Sequence, residues 1–476
     1  MSFISAGFFM AMALTACLYY LIPKKYQWEL LLFVSFGFYA TYGIRYMGYI
    51  LFTIITSYCI TRLMAAQKEK LMRRRWLIFG LVSNFGILVF LKYVNFTILN
   101  LTSLFSVFHQ AFPLGKLSIV MPLGISFYTF QTMSYVIDVY QKKYEPETNI
   151  FRLALFTAYL PQLLQGPIGR YDRLAPQLFE PHDFNLKNIE YGAQRIAWGL
   201  AKKLILADRA YVFSKAVFAD LNTYSGMYVI VALLTFSIYE YCDFSGGIDV
   251  VIGVSELFGI RLDENFRQPY FAHSVTNFWA RWHISLSSWF RDYVYVPLGA
   301  GRRGEKRKAF NVMAVYTLSG LWHGAALKYV AWGMLNGALQ VVEGILPQKR
   351  PKRLIKLHHV ANVLWTDFLI LITMLIFRAT SMSAALGMLW RIPTAWRAPA
   401  LATGFSGMQA LCLGVCMAIL FAIELLHEKR KTLTQLTDRL PLLARGALYV
   451  LAILAIAVFG IWGPGYSAQA FIYFQF

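Results

Sequence analysis

The sequence predicts an all-α polytopic membrane protein, and three observations carry that prediction. Hydrophobic residues make up 58% of the 476 positions and charged residues 14%, about half the charge of a soluble domain. Apolar runs of spanning length, roughly 17–25 residues each, recur from end to end. The charge that remains is lopsided: 45 Lys and Arg stand against 24 Asp and Glu, a formal net charge of +21. These basic residues lie in short stretches between apolar runs, the pattern of positively charged cytoplasmic loops. Nucleic acid is not an expected partner, because no single domain gathers the charge; membrane lipid is. The chain reads as one membrane-embedded domain over 1–476, with N-terminal helices at 1–114, a motif-bearing core at 115–345, and C-terminal helices ending in an aromatic tail at 346–476.

In chain order, apolar helices are expected near 3–21, 29–44, 47–65, 76–92, 119–139, 150–166, 192–207, 226–242, 309–322, 325–345, 361–378, 405–426 and 444–463. Allowing for tilted or half-length elements, that makes roughly eleven or twelve transmembrane helices. The first basic residue, Lys24, follows the run 3–21. A cleavable signal wants its charge before the apolar run, so a retained first helix is expected. QKEKLMRRR (67–75), QKK (141–143), GRRGEKRK (301–308), QKRPKR (348–353) and HEKRK (427–431) are expected on the cytoplasmic side. Counting spans outward from them places both termini outside, including the last six residues, FIYFQF (471–476). The polar, Pro-containing stretch 167–190 reads as a loop.

Residues 268–299 resist a simple span, because Arg281, His283, Arg291 and Asp292 interrupt an otherwise apolar stretch. Irregular backbone at membrane depth is tolerated where protein or a water-filled cavity surrounds it. An amphipathic or re-entrant element lining a cavity is expected.

Two of the eight histidines stand out. His283 lies in ARWHISLS, and His323 lies in SGLWHGA between apolar helices. An ionisable group inside a membrane is a functional candidate, because burying it costs free energy. His323 could instead tie two helices together by a hydrogen bond. Gly320 and Gly324 bracket Leu-Trp-His and permit close approach of backbone or ligand. A neutral imidazole there could take a proton from a hydroxyl attacking an acyl carbonyl. No Ser sits in a GxSxG setting, and two histidines forty positions apart make no metal motif. Glu240, Asp243 and Asp249 cluster in YEYCDFSGGID, with Asp243 a candidate partner for an arginine of 281–291. Gln162 and Gln165 in LPQLLQGPIGRY mark a helix stop with inward polar side chains. With the histidines' neighbours Arg281, Trp282 and Trp322, Asp243 and Gln165 make up the expected cavity wall. The five cysteines, Cys17, Cys59, Cys242, Cys412 and Cys416, form no CxxC pair and read as buried small hydrophobes.

Several long motifs resemble the membrane-bound O-acyltransferases: PLGISFYTFQTMSYVIDVY (122–140), YLPQLLQGPIGRYDRL (159–174), YCDFSGGID (241–249), NFWARWHISLSSWFRDYVYVPLG (277–299) and SGLWHG (319–324). They are most similar to the bacterial branch that O-acetylates alginate and peptidoglycan and D-alanylates teichoic acid. The match runs from about residue 115 to the end. It departs at Gly247-Ile248, where many relatives carry Tyr-Ser. The resemblance implies a ring of helices around a central funnel, His323 as the catalytic histidine, and His283 as a second important one. It also implies that Tyr473, within the aromatic tail, accepts the acyl group, since polysaccharide-acetylating members end in a similar hexamer. A phenol titrates near ~10, below an alcohol, so its ester is the more activated donor. An aromatic belt at the outer interface is the plainer reading of that tail.

Three functions follow as expectations. The first is transfer of an acyl group, acetyl in the first instance, from a cytosolic thioester to O-acetylate an exported cell-surface polysaccharide. Its donor substrate would be acetyl-CoA or an acyl carrier protein thioester, with no bound cofactor and no metal. Its partner would be an extracytoplasmic acetyltransferase or acetylesterase of the SGNH type or similar, at the cytoplasmic membrane. The second is D-alanyl transfer to teichoic acid from a carrier protein. The third, of a different class, is a transporter of lipid-linked glycan, which explains the helices but neither SGLWHG nor the aromatic tail.

Overall fold

A computed structural model describes residues 5–220, 223–224, 226–345, 355–396 and 404–462. Among them the regular structure is helical, with no strand. This is the solution a bilayer demands, because a helix satisfies its own backbone polar groups. Among the described residues six helices are long and apolar enough to cross a membrane: Ile44–Ala66, Lys70–Val107, Gly226–Glu256, His359–Arg378, Gly407–Glu428 and Leu442–Phe459. The other expected segments are present as shorter or more polar helices. The basic cluster 348–353 and the tail with Tyr473 lie outside the described residues.

The described chain packs as two compact units. The first comprises Met1–Ile189 with Val254–Asp263 and Gly324–Ala326. Here the expected span at 150–166 is two helices, Ile150–Ala158 and Leu160–Gln165, broken at Tyr159. Pro161 cannot continue a helix from behind, but it fits the first turn of a new one. The Leu160 N–H instead donates to Ser35 Oγ at 3.0 Å. The expected loop 167–190 contains a helix, Tyr171–Phe179, which buries Leu174, Ala175 and Leu178. Arg73, Arg74 and Arg75, expected in a loop, fall in the first turns of the 38-residue Lys70–Val107 helix.

The second unit comprises Glu190–Gly253, Glu264–His323 and Leu327–Phe476. Its central element is Gly226–Glu256, which continues well past the expected end at 242. Its apolar window is 67% buried, against 0% for Leu442–Phe459, so one is core and the other perimeter. Leu186–Leu200 packs closely on it, where a Cβ on Gly246 would lie 2.8 Å from the Gly199 carbonyl oxygen. The irregular region 268–299 holds four short pieces: Pro269–Phe271, Val275–Trp279, Ile284–Phe290 and Arg291–Tyr295. The expectation for cysteines holds at Cys242, which is buried. Cys17 and Cys59 face outward, and Cys412 and Cys416 are half-buried. Outward positions on a membrane helix meet lipid, so an apolar thiol there needs no core to receive it.

Candidate active site

His323 is the last residue of the helix Glu305–His323. That helix packs against Leu327–Ile345 through two glycines. A Cβ on Gly320 would lie 2.2 Å from the Tyr329 carbonyl oxygen, and one on Gly333 2.2 Å from that of Tyr316. Gly320 therefore does what its place in SGLWHG predicts, and brings His323 down beside the second helix. The imidazole is buried in an aromatic cage. Trp322 and Trp332 each meet it edge to face at 4.9 Å, and Phe377 does so at 5.3 Å. Lys328 donates to the Phe377 and Ala379 carbonyl oxygens at 3.1 and 2.7 Å, holding the end of the Ile355–Arg378 helix against the cage.

His283 comes from the irregular region and sits in the left-handed conformation, φ 47°, immediately before Ile284–Phe290. It is buried. Its ring meets Phe244 at 4.8 Å and Trp322 at 5.8 Å, both edge to face. Trp322 thus touches both imidazoles, and the two histidines that stand out in the sequence share one aromatic wall. The Asn265 side chain meets His283 Nδ1 at 3.3 Å.

The other predicted residues fall into different surroundings. Trp282 stacks on Phe278 at 5.5 Å and meets Phe266 at 5.0 Å. Arg281 makes a two-pronged ion pair with Glu428, at 2.7 and 3.1 Å. Asp243 does not pair with an arginine of 281–291: its carboxylate takes Lys203 Nζ at 2.5 Å, and the same ammonium lies 2.9 Å from Asp208. The reason is backbone geometry. Ala201–Ala207 is a wider, π-helical turn continuing the Leu186–Leu200 helix, and it aims Lys202 and Lys203 inward. Lys202 pairs with Asp249 and donates to Ser245 Oγ at 2.9 Å. Gln165 belongs to the first unit, where its amide is fully buried and finds no hydrogen-bond partner among the described residues. Tyr473 lies outside the described residues.

Sequence reasoning missed Lys202, Lys203, Asn265 and the cage residues Trp332 and Phe377. The Lys-Lys doublet inside the apolar run GLAKKLILA was the available signal, since two charges in an expected span require internal partners.

A cavity of about 340 Å³ opens in this unit. Among the described residues its walls hold three cations, Arg195, Lys202 and Arg267, and three carboxylates, Asp249, Glu264 and Glu424. Arg195 is shared between Asp249 at 2.6 Å and Glu264 at 2.9 and 2.6 Å. Phe266 lines the cavity and packs on Phe244 at 4.9 Å, which in turn packs on His283. Among the described residues no cluster of three His, Cys, Asp or Glu side chains could hold a metal ion.

Residues 147–386 match the membrane-bound O-acyltransferase family. The chain is 35% identical over 378 residues to the probable alginate O-acetylase AlgI of Pseudomonas aeruginosa, covering 79% of this chain and 70% of that protein. It is 30% identical over 395 residues to the peptidoglycan O-acetyltransferase of Helicobacter pylori, covering 78% and 73%. It is 30% identical over 230 residues to the teichoic acid D-alanyltransferase of Bacillus subtilis, covering 46% and 57%. These relatives are acyl-transfer proteins, which sets the transporter reading aside. With that family match and 35% identity over more than two thirds of both proteins, this chain belongs to the membrane-bound O-acyltransferase family and is a multi-pass membrane O-acyltransferase.

Proposed function

We propose that this protein transfers acetyl from a cytosolic thioester, acetyl-CoA or an acyl carrier protein thioester, for O-acetylation of an exported cell-surface polysaccharide. The single observation that carries this reading is His323 buried in its aromatic cage, with His283 against the same Trp322. His323 acts as the base. The acceptor hydroxyl oxygen bonds to the acyl carbon as its proton passes to His323. The carbon–sulfur bond then breaks, and His323 returns the proton to the departing thiolate. General base catalysis of this kind contributes about 10²–10⁴-fold. The balanced charges of the 340 Å³ cavity suit a neutral, amide-bearing pantetheine arm. A polyanionic nucleotide or carrier protein would stay outside. Two packed rings, Phe266 on the cavity wall and Phe244 behind it, lie between the cavity and His283.

Acetyl is favoured over D-alanyl because the acetylase relatives align over far more of the chain than the D-alanyltransferase does. The protein resides in the cytoplasmic membrane with its basic loops inside and both termini outside, which the distribution of Lys and Arg supports. Tyr473 then accepts the acyl group and passes it to an extracytoplasmic partner of the SGNH type. Replacing His323 by Ala abolishes acetylation of the exported glycan on this reading, and unchanged acetylation sinks it. Mass spectrometry of the C-terminal peptide reads the relay directly. A gain of about 42 Da means acetyl and about 71 Da means alanyl, the masses of the two groups in a covalent intermediate. Survival of acetylation in Tyr473→Phe makes the tyrosine an interfacial anchor.

A further inference from the structure

Asn265 is fully buried and bonds to three consecutive residues. Its carbonyl oxygen accepts from the Ile284 N–H at 3.0 Å. Its side-chain Oδ1 accepts from the Ser285 N–H at 2.9 Å. Its Nδ2 faces His283 Nδ1 at 3.3 Å. The left-handed backbone at His283, which costs a non-glycine residue roughly 1–2 kcal/mol, is thereby clasped from both sides.

The clasp also decides where the imidazole proton sits. A backbone N–H can only donate, so the amide atom meeting Ser285 must be the oxygen. The NH₂ group is then turned toward His283, and it can only donate in its turn. Nδ1 must answer with its lone pair. The single proton of the neutral ring is therefore on Nε2.

We propose that Asn265 is a positioning residue that fixes His283 as an Nε2–H donor to the acyl oxygen, leaving proton abstraction to His323. This rests on the acyl-transfer reading above. As the hydroxyl attacks, the carbonyl electron pair moves onto oxygen, where the Nε2–H of His283 hydrogen-bonds it. When the carbon–sulfur bond breaks, the pair returns to re-form the carbonyl. His283 gains and loses no proton in the cycle. Two imidazoles on one tryptophan thus divide the work, one as base and one as electrophile.

The test is Asn265→Asp. A carboxylate keeps an acceptor for the Ser285 N–H but presents a second acceptor to His283, which draws the ring proton onto Nδ1 and strips Nε2 of its donor. One added proton on the Asp–His pair restores an Nε2–H, whichever group holds it. The titratable and charged groups on the surrounding elements are Asp243, paired with Lys203; Asp249, paired with Lys202 and Arg195; Glu264, paired with Arg195; Glu240; Arg281, paired with Glu428; Arg291, paired with Asp292; Arg267; and His323, which meets the same Trp322. Use of acetyl-CoA by the purified protein in lipid nanodiscs is measured across pH. We expect kcat at pH of about 8 to fall roughly 10²-fold, the size of a lost oxyanion donor, with KM for acetyl-CoA changed less than about threefold. The ratio of variant to wild-type kcat should climb as pH falls toward about 6, through the imidazole range. A ratio that does not vary with pH, or a wild-type kcat at the higher pH, overturns the proposal. Should Asn265→Asp fail to fold, His283→Gln, which keeps a side-chain N–H, is compared with His283→Ala. About tenfold more activity in the Gln variant supports the donor role, and equal activity overturns it. His323→Ala separates the two claims: if it stays active the acyl-transfer reading fails, whereas an inactive His323→Ala with a flat Asn265→Asp ratio removes only the role of Asn265.

Discussion

Trp322 is the residue on which the two histidines meet, with its ring 4.9 Å from His323 and 5.8 Å from His283. Both contacts are edge to face, an arrangement worth about 0.5–1.5 kcal/mol per aromatic pair beyond the area buried. The larger consequence is geometric, because catalysis is sensitive to placement at the level of an ångström, which can cost about 10²-fold. Trp322→Leu keeps the site apolar but removes the shared wall. It should lower kcat for acyl transfer by roughly 10–100-fold while the protein still purifies as a folded species. Wild-type kcat in that variant would show that the cage around His323 positions nothing.

Among the elements, the crossing of Glu305–His323 with Leu327–Ile345 is the one that places His323. Gly320 and Gly333 leave no room for a Cβ, since each would lie 2.2 Å from a carbonyl oxygen of the opposite helix. Gly320→Val should force the pair apart at a cost of about 1–3 kcal/mol and carry His323 out of its cage. The checks are a lower Tm in detergent together with a fall in kcat, and a variant that keeps both at wild-type values refutes the close-packing account. The π-helical turn at Ala201–Ala207 makes a comparable demand. It places Lys203 between Asp243 and Asp208, all three of them buried. Lys203→Met leaves two carboxylates without that ammonium and should destabilise by about 3–5 kcal/mol. Thermal unfolding of the purified variant measures this, and an unchanged Tm would mean that the ammonium does not hold the two acids.

For the molecule as a whole, the prediction concerns sidedness. Cysteines introduced at Arg302 or Lys306 should be labelled by an impermeant maleimide only after the cytoplasmic face is opened. A cysteine placed after residue 470 should be labelled in intact cells. The reverse pattern would overturn the proposed topology and with it the proposed direction of acyl transfer. The all-α membrane class, the interruption at 268–299 and the pair His283 and His323 were all legible in the chain. Apolar run length, misplaced charge and the SGLWHG and ARWHISLS motifs are local properties of sequence. Local reasoning failed where a helix ends for a tertiary reason. Gly226–Glu256 runs through Asp243, Ser245 and Asp249 because Lys203 and Lys202 meet them from another helix. Pro161 breaks the 150–166 run at Tyr159, and it is the tertiary structure that supplies Ser35 to take the freed N–H of Leu160. By itself, then, the sequence determined the membrane class and the family, and it singled out His283 and His323 as candidates, both of which are buried against Trp322. Only the tertiary structure decided which ion answers which: Asp243 with Lys203, and Arg281 with Glu428 across 147 positions of chain. It alone decided that Asn265 turns its amide to His283. The physical reason is that burial of a charge or polar group requires a partner, whereas the partner's identity depends on backbone crossings that no local pattern encodes.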